Sequence, residues 1–192
     1  MSSRNSLTRE DWVSAAQHML MKSGIDAVRV DTLAKELKIT RGSFYYHFKS
    51  RQDLLDAVLA NWRAKATEHV INSLREAKVP PREQLQWLLG LPLHGQSAHD
   101  AASIELAIRG WARRDKHVRQ AMDEVDSYRL QFIESLLVKL GLEEDAASRA
   151  YLIYAYQLSL SMVQTSGTAD QRAHRHDLVA RLLLQGSDVA LN

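Results

Sequence analysis

The sequence predicts an all-α protein of about nine helices, with a small three-helix N-terminal head followed by a longer helical bundle. Three observations carry this prediction. Proline occurs only at positions 80, 81 and 92, so long stretches carry no helix breaker. Apolar residues recur at three- and four-residue intervals along most of the chain. The β-branched runs that a sheet would need are short.

The first helix has clear start and stop signals. Thr8 is an N-cap candidate with Asp11 three residues on, and Leu7 and Trp12 occupy staple positions. Trp12, Ala15, Ala16, Met19 and Leu20 form one apolar face, and Gly24 ends the helix. A second helix is expected over residues 31–37 with Leu33, Ala34 and Leu37 inward. Lys38, Ile39 and Thr40 form a turn, and Thr40 is expected to cap a third helix over about residues 41–47 through its side chain. Ser50 and Asp53 form a second cap-like pair opening a long helix through Leu54, Leu55, Val58, Leu59 and Trp62 to about Ala77. Pro80 and Pro81 break the chain, and Pro81 suits the first turn of the next helix, which carries Leu85, Leu88 and Leu89. Residues 92–99 read as the least regular segment. Beyond it come a helix with Ile104, Ile108 and Trp111, then a longer one from Val118 to Leu140 stopped by Gly141. Two last helices are expected over about 144–165 and 171–185, separated by Ser166, Gly167 and Thr168.

The segment Leu33–Phe48 carries the chemistry. A recognition helix in a major groove needs a small residue where backbone meets phosphate, donors for phosphate oxygens, and side chains that reach base edges. Gly42 supplies the close approach. Thr40, Tyr46, His47 and Lys49 supply phosphate donors, while Arg41, Ser43 and Tyr45 are placed to reach bases. Phe44 and Phe48, four apart, should anchor the helix to the core of the head. Net charge is +2 overall, yet residues 35–51 hold Lys35, Lys38, Arg41, Lys49 and Arg51 against Glu36 alone. Phosphate binding needs such a local excess.

Leu33-Ala34, Ile39-Thr40, Gly42, the Phe-Tyr-Tyr-His-Phe run at 44–48, and Lys49, Asp53, Leu54 and Leu55 strongly resemble the TetR family of one-component transcriptional regulators. The resemblance runs from about Thr8 to Asn61. It implies an all-helical homodimer that binds a palindromic operator on double-stranded DNA. It also implies a C-terminal domain that binds a small effector and dimerises through its last two helices. Carried over by position, the DNA-contacting set is Lys38, Thr40, Arg41, Gly42, Ser43, Tyr45, Tyr46, His47, Lys49 and Arg51. Two positions depart from the family pattern: Lys38 stands where glycine is usual in the turn, and Arg29 replaces the usual Ser or Thr cap of the second helix.

The division expected is a DNA-binding head over 1–50 and an effector-binding and dimerisation domain over 51–192. Candidate effector-lining residues are Trp87, Leu88, Leu91, Ile104, Ile108, Trp111, Tyr128 and Phe132, which favour an apolar or aromatic ligand. Arg109 and Arg129 would pair with an acidic one if they pointed inward, though salt bridging accounts for them more simply. The candidate dimer face is Tyr151, Tyr154, Ala155, Leu158 and Met162 with Leu178, Val179, Leu182 and Leu183.

Several classes are disfavoured. The chain has no cysteine, hence no disulfide framework. No apolar run approaches the ~20 residues of a membrane-spanning helix, and the first twenty residues show no signal-peptide pattern, so a cytoplasmic location is expected. No phosphate loop, nucleophile elbow or zinc-protease motif is present, so no enzyme, cofactor or metal is expected. His174 and His176 face different directions on a helix, and His94, His99 and Asp100 read as a polar loop. The expected function is a repressor released from its operator by a small molecule. The alternatives are an activator with the same head, or a helical ligand-binding or enzymatic module without DNA function.

Overall fold

The computed structural model describes residues 7–91, 95–163 and 167–185, with residues 95–98 described by backbone alone. Among them the chain is entirely helical: α1 (Arg9–Ser23), a 3-10 turn (Ile25–Ala27), α2 (Val30–Glu36), α3 (Arg41–His47), α4 (Arg51–Arg63), a π-helical stretch (Ala64–Glu68), α5 (His69–Glu76), α6 (Pro81–Gly90), α7 (Gly95–Ala112), α8 (Lys116–Lys139), α9 (Ala146–Met162) and α10 (Ala169–Leu184). The run from α4 through the π stretch to α5 is continuous, so counting it once gives nine helices among the described residues. Helix α7 begins at Gly95, inside the segment expected to be irregular; Pro92, Leu93 and His94 lie outside the described residues, as does Ser166.

The chain divides into two compact units, one of residues 1–66 with 103–122, the other of 67–102 with 123–192. That division falls elsewhere than the expected boundary after residue 50: α4 packs on α1 and belongs with the head. The reason is burial. Leu54, Leu55, Ala57, Val58, Leu59 and Trp62 are all buried, so α4 is apolar on more than one side and serves as a core helix.

In the first unit Trp12, Val13, Ala16, Met19 and Leu20 of α1 are buried with Leu33, Ala34, Phe44 and Phe48. The α1 start is the expected capping box: the Asp11 N–H donates to Thr8 Oγ1 at 3.2 Å, and the Thr8 N–H donates to Asp11 Oδ2 at 2.7 Å. These bonds hold the Asp11 carboxyl below the usual carboxylate range. Gly24, at φ 76°, ends α1. Ile108, Trp111, Ala112, Val118 and Met122 are buried in the returning segment. There the Trp62 indole N–H donates to Glu105 at 3.2 Å, and Arg109 donates to the same carboxylate at 2.7 and 3.0 Å.

The second unit has its own core, built from Ile71, Leu74, Leu85, Leu88, Leu89, Phe132, Ile133, Leu136, Leu137, Ala150 and Ile153, closed by Leu184. Pro81 occupies the first turn of α6, and Gly141, at φ 82°, follows α8 as expected. Arg149 fastens the end of α10 by donating to the carbonyls of Leu183 and Gln185 at 2.9 and 2.8 Å.

Candidate nucleic-acid interface

The site begins with the turn between α2 and α3. Leu37 caps α2, Lys38 lies at φ 56°, the Lys38 N–H donates to Lys35 O at 3.2 Å, and the Ile39 N–H donates to Ala34 O at 3.0 Å. This bond pair is a Schellman motif with lysine in the position glycine favours. The left-handed conformation costs a non-glycine residue about 1 kcal/mol; the two bonds satisfy carbonyls that α2 would otherwise leave open. Arg29 is the N-cap of α2 but offers no side-chain acceptor; its Nε donates instead to Asp26 O at 3.0 Å.

Helix α3 has two faces. Phe44 and Phe48 are fully buried and stacked with centroids 5.5 Å apart, and Trp12 meets Phe44 edge-on at 5.2 Å. Because consecutive helical residues are about 100° apart, burying Phe44 turns Tyr45 and Tyr46 outward, and they are 55% and 87% exposed. Tyr45 still meets the Phe44 ring edge-on at 5.2 Å, whereas the exposure of Tyr46 is not explained by packing against the core. Around them Lys38, Thr40, Arg41, Gly42 and Lys49 are also exposed, while Ser43 and His47 are half-buried.

Two details bear on how close another molecule can come. Thr40 is the N-cap of α3, but its side chain accepts no capping bond, contrary to the sequence expectation; only its carbonyl accepts, from the Ser43 N–H at 3.1 Å. The hydroxyl is therefore not spent on the helix start. A Cβ at Gly42 would meet only Thr40 Oγ1, at 3.7 Å, an ordinary contact. Among the described residues nothing requires glycine there.

The far end of α3 is held by a second cluster. The Lys49 N–H donates to Asp53 Oδ2 at 2.9 Å and the Asp53 N–H to Ser50 Oγ at 3.2 Å, while Arg9 lies 4.6 Å over the Phe48 ring. The Lys49 backbone is thus fixed and its side chain is exposed.

Arg51 is a correction to the sequence reading. Expected as a DNA contact, it donates through Nε to Val28 O at 2.5 Å and through a terminal nitrogen to Ile25 O at 2.8 Å. Its guanidinium closes the carbonyls of the 3-10 turn while the residue stays exposed. The sequence reading also missed Asp31, whose Oδ1 accepts from Arg41 Nε at 3.0 Å. An acidic residue in the first turn of a helix reads as dipole compensation, and only the fold brings it to Arg41. Hydrogen bonding with Tyr45, and then the Asp31 charge, raise the Arg41 pKa.

The candidate effector residues divide between the units. Ile104, Ile108 and Trp111 belong to the first, with Ile108 and Trp111 in its core. Trp87, Leu88, Leu91, Tyr128 and Phe132 belong to the second, where Leu88 and Phe132 are core residues, Tyr128 packs against that core, and Trp87 is exposed. Arg75 lies over the rings of Tyr128 and Phe132 at 5.8 and 5.4 Å.

The candidate dimer residues also separate. Tyr151, Ala155, Met162, Leu178 and Leu182 are exposed, joined by Leu152 and Val163. Leu158, Val179 and Leu183 pack partly against their own core, and Tyr154 is buried in it. Tyr154 is a second correction: its hydroxyl donates to Asp126 at 2.6 Å and accepts from Arg129 at 2.9 Å, while Arg129 Nε donates to the buried Thr67 hydroxyl at 2.9 Å. A sequence signal for this network existed. Arg129 stands in the apolar register of α8 between Val125 and Phe132, where a charge must find partners.

Among the described residues no cluster of histidine and carboxylate side chains suits a metal, and no helix is long and apolar enough to cross a membrane.

Residues 13–58 match the family of bacterial regulatory proteins, tetR family. The chain is 34% identical over 50 residues to the transposon Tn10 TetC protein of Escherichia coli, 26% of this chain and 25% of that protein. It is 31% identical over 71 residues to the class D tetracycline repressor protein of Escherichia coli, 37% of this chain and 33% of that protein. These matches thus span a quarter and a third of the length of those relatives. Among solved structures, a transcriptional regulator from Rhodococcus sp. aligns over 94% of this chain and 97% of its own, with a TM-score of 0.73 and 19% identity. A regulator from Saccharomonospora viridis, solved in complex with choline, aligns over 88% and 93%, with a TM-score of 0.70 and 19% identity. At such identity these two likenesses are of fold. Residues 13–58, from within α1 to within α4, are thus similar to the tetR family of bacterial regulatory proteins, and the fold of the described chain is that of these regulators.

Proposed function

We propose that this protein is a homodimeric, DNA-binding transcriptional regulator, a repressor that a small-molecule effector releases from a palindromic operator. The observation that carries the reading is the two-faced construction of α3, with Phe44 and Phe48 locked inside and Tyr45 and Tyr46 held out beside Arg41, Gly42 and Lys49. In this reading Thr40, Tyr46, His47, Lys38 and Lys49 hold phosphates, and Arg41, Ser43 and Tyr45 meet base edges. Gly42 lets the backbone approach the strand.

The outward apolar residues of α9 and α10, Tyr151, Ala155, Met162, Leu178 and Leu182, support a two-fold contact between copies. A dimer would present two α3 helices to half-sites about 34–36 Å apart. The choline-bound neighbour supports an effector, and Trp87, Leu88, Leu91, Tyr128 and Phe132 are the candidate lining for an apolar or aromatic one in the second unit. An effector can release the operator only by the difference between its affinities for the binding-competent and incompetent states.

The test is binding of the full chain to duplexes selected by it from a random-sequence library, followed by fluorescence anisotropy at several salt concentrations. About six phosphate contacts per dimer give a log–log slope near −5. A helical module without DNA function enriches no duplex and shows no such slope.

A further inference from the structure

We propose that Asp31 is a specificity-determining positioning residue, which holds the Arg41 guanidinium by its Nε edge and so aims the two terminal nitrogens at a base. This rests on the DNA-binding reading above. The geometry is specific: Arg41 Nε to Asp31 Oδ1 is 3.0 Å, across from the first turn of α2 to the first turn of α3.

A guanidinium has several donor edges, and bidentate reading of guanine uses two parallel N–H groups. A carboxylate on the Nε edge leaves the terminal pair available. The side chains are 60% and 69% exposed, so in water the pair contributes little to stability. Its effect lies in orientation. An unrestrained arginine at the start of α3 is drawn to the nearest phosphate, a contact that binds every sequence equally. Asp31 opposes that twice: it occupies Nε, and its negative charge repels a phosphate brought to the same edge. Specificity is a difference between affinities, and a repulsive group raises it as effectively as an attractive one. Among the described residues, Arg41 is the partner recorded for the Asp31 carboxylate. The N-cap Arg29 forms no side-chain cap, and Asp31 is not part of a capping box.

The experiment uses the full chain with two fluorescent duplexes, one selected by the parent protein from a random library and one scrambled duplex of equal length. Asp31→Asn, Asp31→Glu, Arg41→Ala and Asp31→Asn in the Arg41→Ala background are compared with the parent, with thermal melts to establish folding. In Asp31→Asn the ratio of scrambled to selected Kd should fall about thirtyfold, the low end for one base contact in each of two half-sites, chiefly through tighter binding of the scrambled duplex. Asp31→Glu should restore most of the ratio. With Arg41 removed, Asp31→Asn should leave the ratio unchanged. Reselection with Asp31→Asn should relax one base position in each half-site. A ratio equal to the parent's in Asp31→Asn, or an equal fall without Arg41, overturns the proposal and leaves Asp31 as a plain surface charge. Failure of the parent to enrich any duplex overturns the DNA-binding reading itself, and this inference with it.

Discussion

Two residues of α3, two positions apart, should fail in opposite ways. Phe44 is fully buried, stacked on Phe48 and met edge-on by Trp12. Phe44→Ala removes a buried aromatic and leaves a cavity, which costs about 3–5 kcal/mol. That is a large share of the roughly 5–15 kcal/mol that holds an ordinary domain together. Tyr46 is 87% exposed, and its recorded ring contact is with His47 at 5.0 Å. Tyr46→Ala should therefore change stability by no more than about 0.5 kcal/mol. If its hydroxyl donates to a phosphate, each subunit loses about 1.5 kcal/mol of charge-assisted hydrogen bonding. A dimer loses about 3 kcal/mol, or roughly a hundredfold in operator affinity. Urea unfolding followed by tryptophan fluorescence reads the first effect, since Trp12 touches Phe44. Anisotropy on the selected duplex reads the second. A Tyr46→Ala protein that unfolds markedly earlier than the parent, or binds the duplex as tightly, would refute the assignment of faces.

Further outcomes follow from other contacts. Arg51→Ala should destabilise the head by about 1–3 kcal/mol, because the carbonyls of Ile25 and Val28 lose their donor; the salt slope of DNA binding should keep the parent's value, and a shallower slope would return Arg51 to the phosphate-contacting set. Leu182, 65% exposed on α10, tolerates a charge in an isolated chain and not in a two-fold apolar contact, so Leu182→Glu should yield a folded monomer by sedimentation, while a persistent dimer would move the interface elsewhere. The Asp11 carboxyl is held below its ordinary range by Thr8, so its stabilising effect is complete above the ordinary carboxylate range and is lost as pH falls through the depressed value. Asp11→Ala should accordingly flatten the acid limb of thermal stability against pH, and an unchanged acid limb would show that the box does not couple to folding.

What could be read in advance was local. The Thr8–Asp11 box, the Gly24 stop, Pro81 in a first turn and the left-handed Lys38 each involve partners within about four residues or one φ angle, and all stand in the structure. The direction of α3 was legible for the same reason, since Phe44 and Phe48 at one-turn spacing fix which way Tyr45 and Tyr46 face. Thr40 marks the edge of this reach: its position as N-cap was readable, yet whether its hydroxyl or only its carbonyl would serve the helix depended on a rotamer. Side chains long enough to choose among distant partners were decided by the fold alone. Arg51 finds its acceptors more than twenty residues back in the chain, and Tyr154 finds Arg129 and Asp126 on another helix. Asp31 meets Arg41 only because a Schellman turn brings α3 back beside the start of α2. Periodicity tells which face of a helix is apolar, but a buried charge or hydroxyl goes wherever tertiary packing supplies a partner for it.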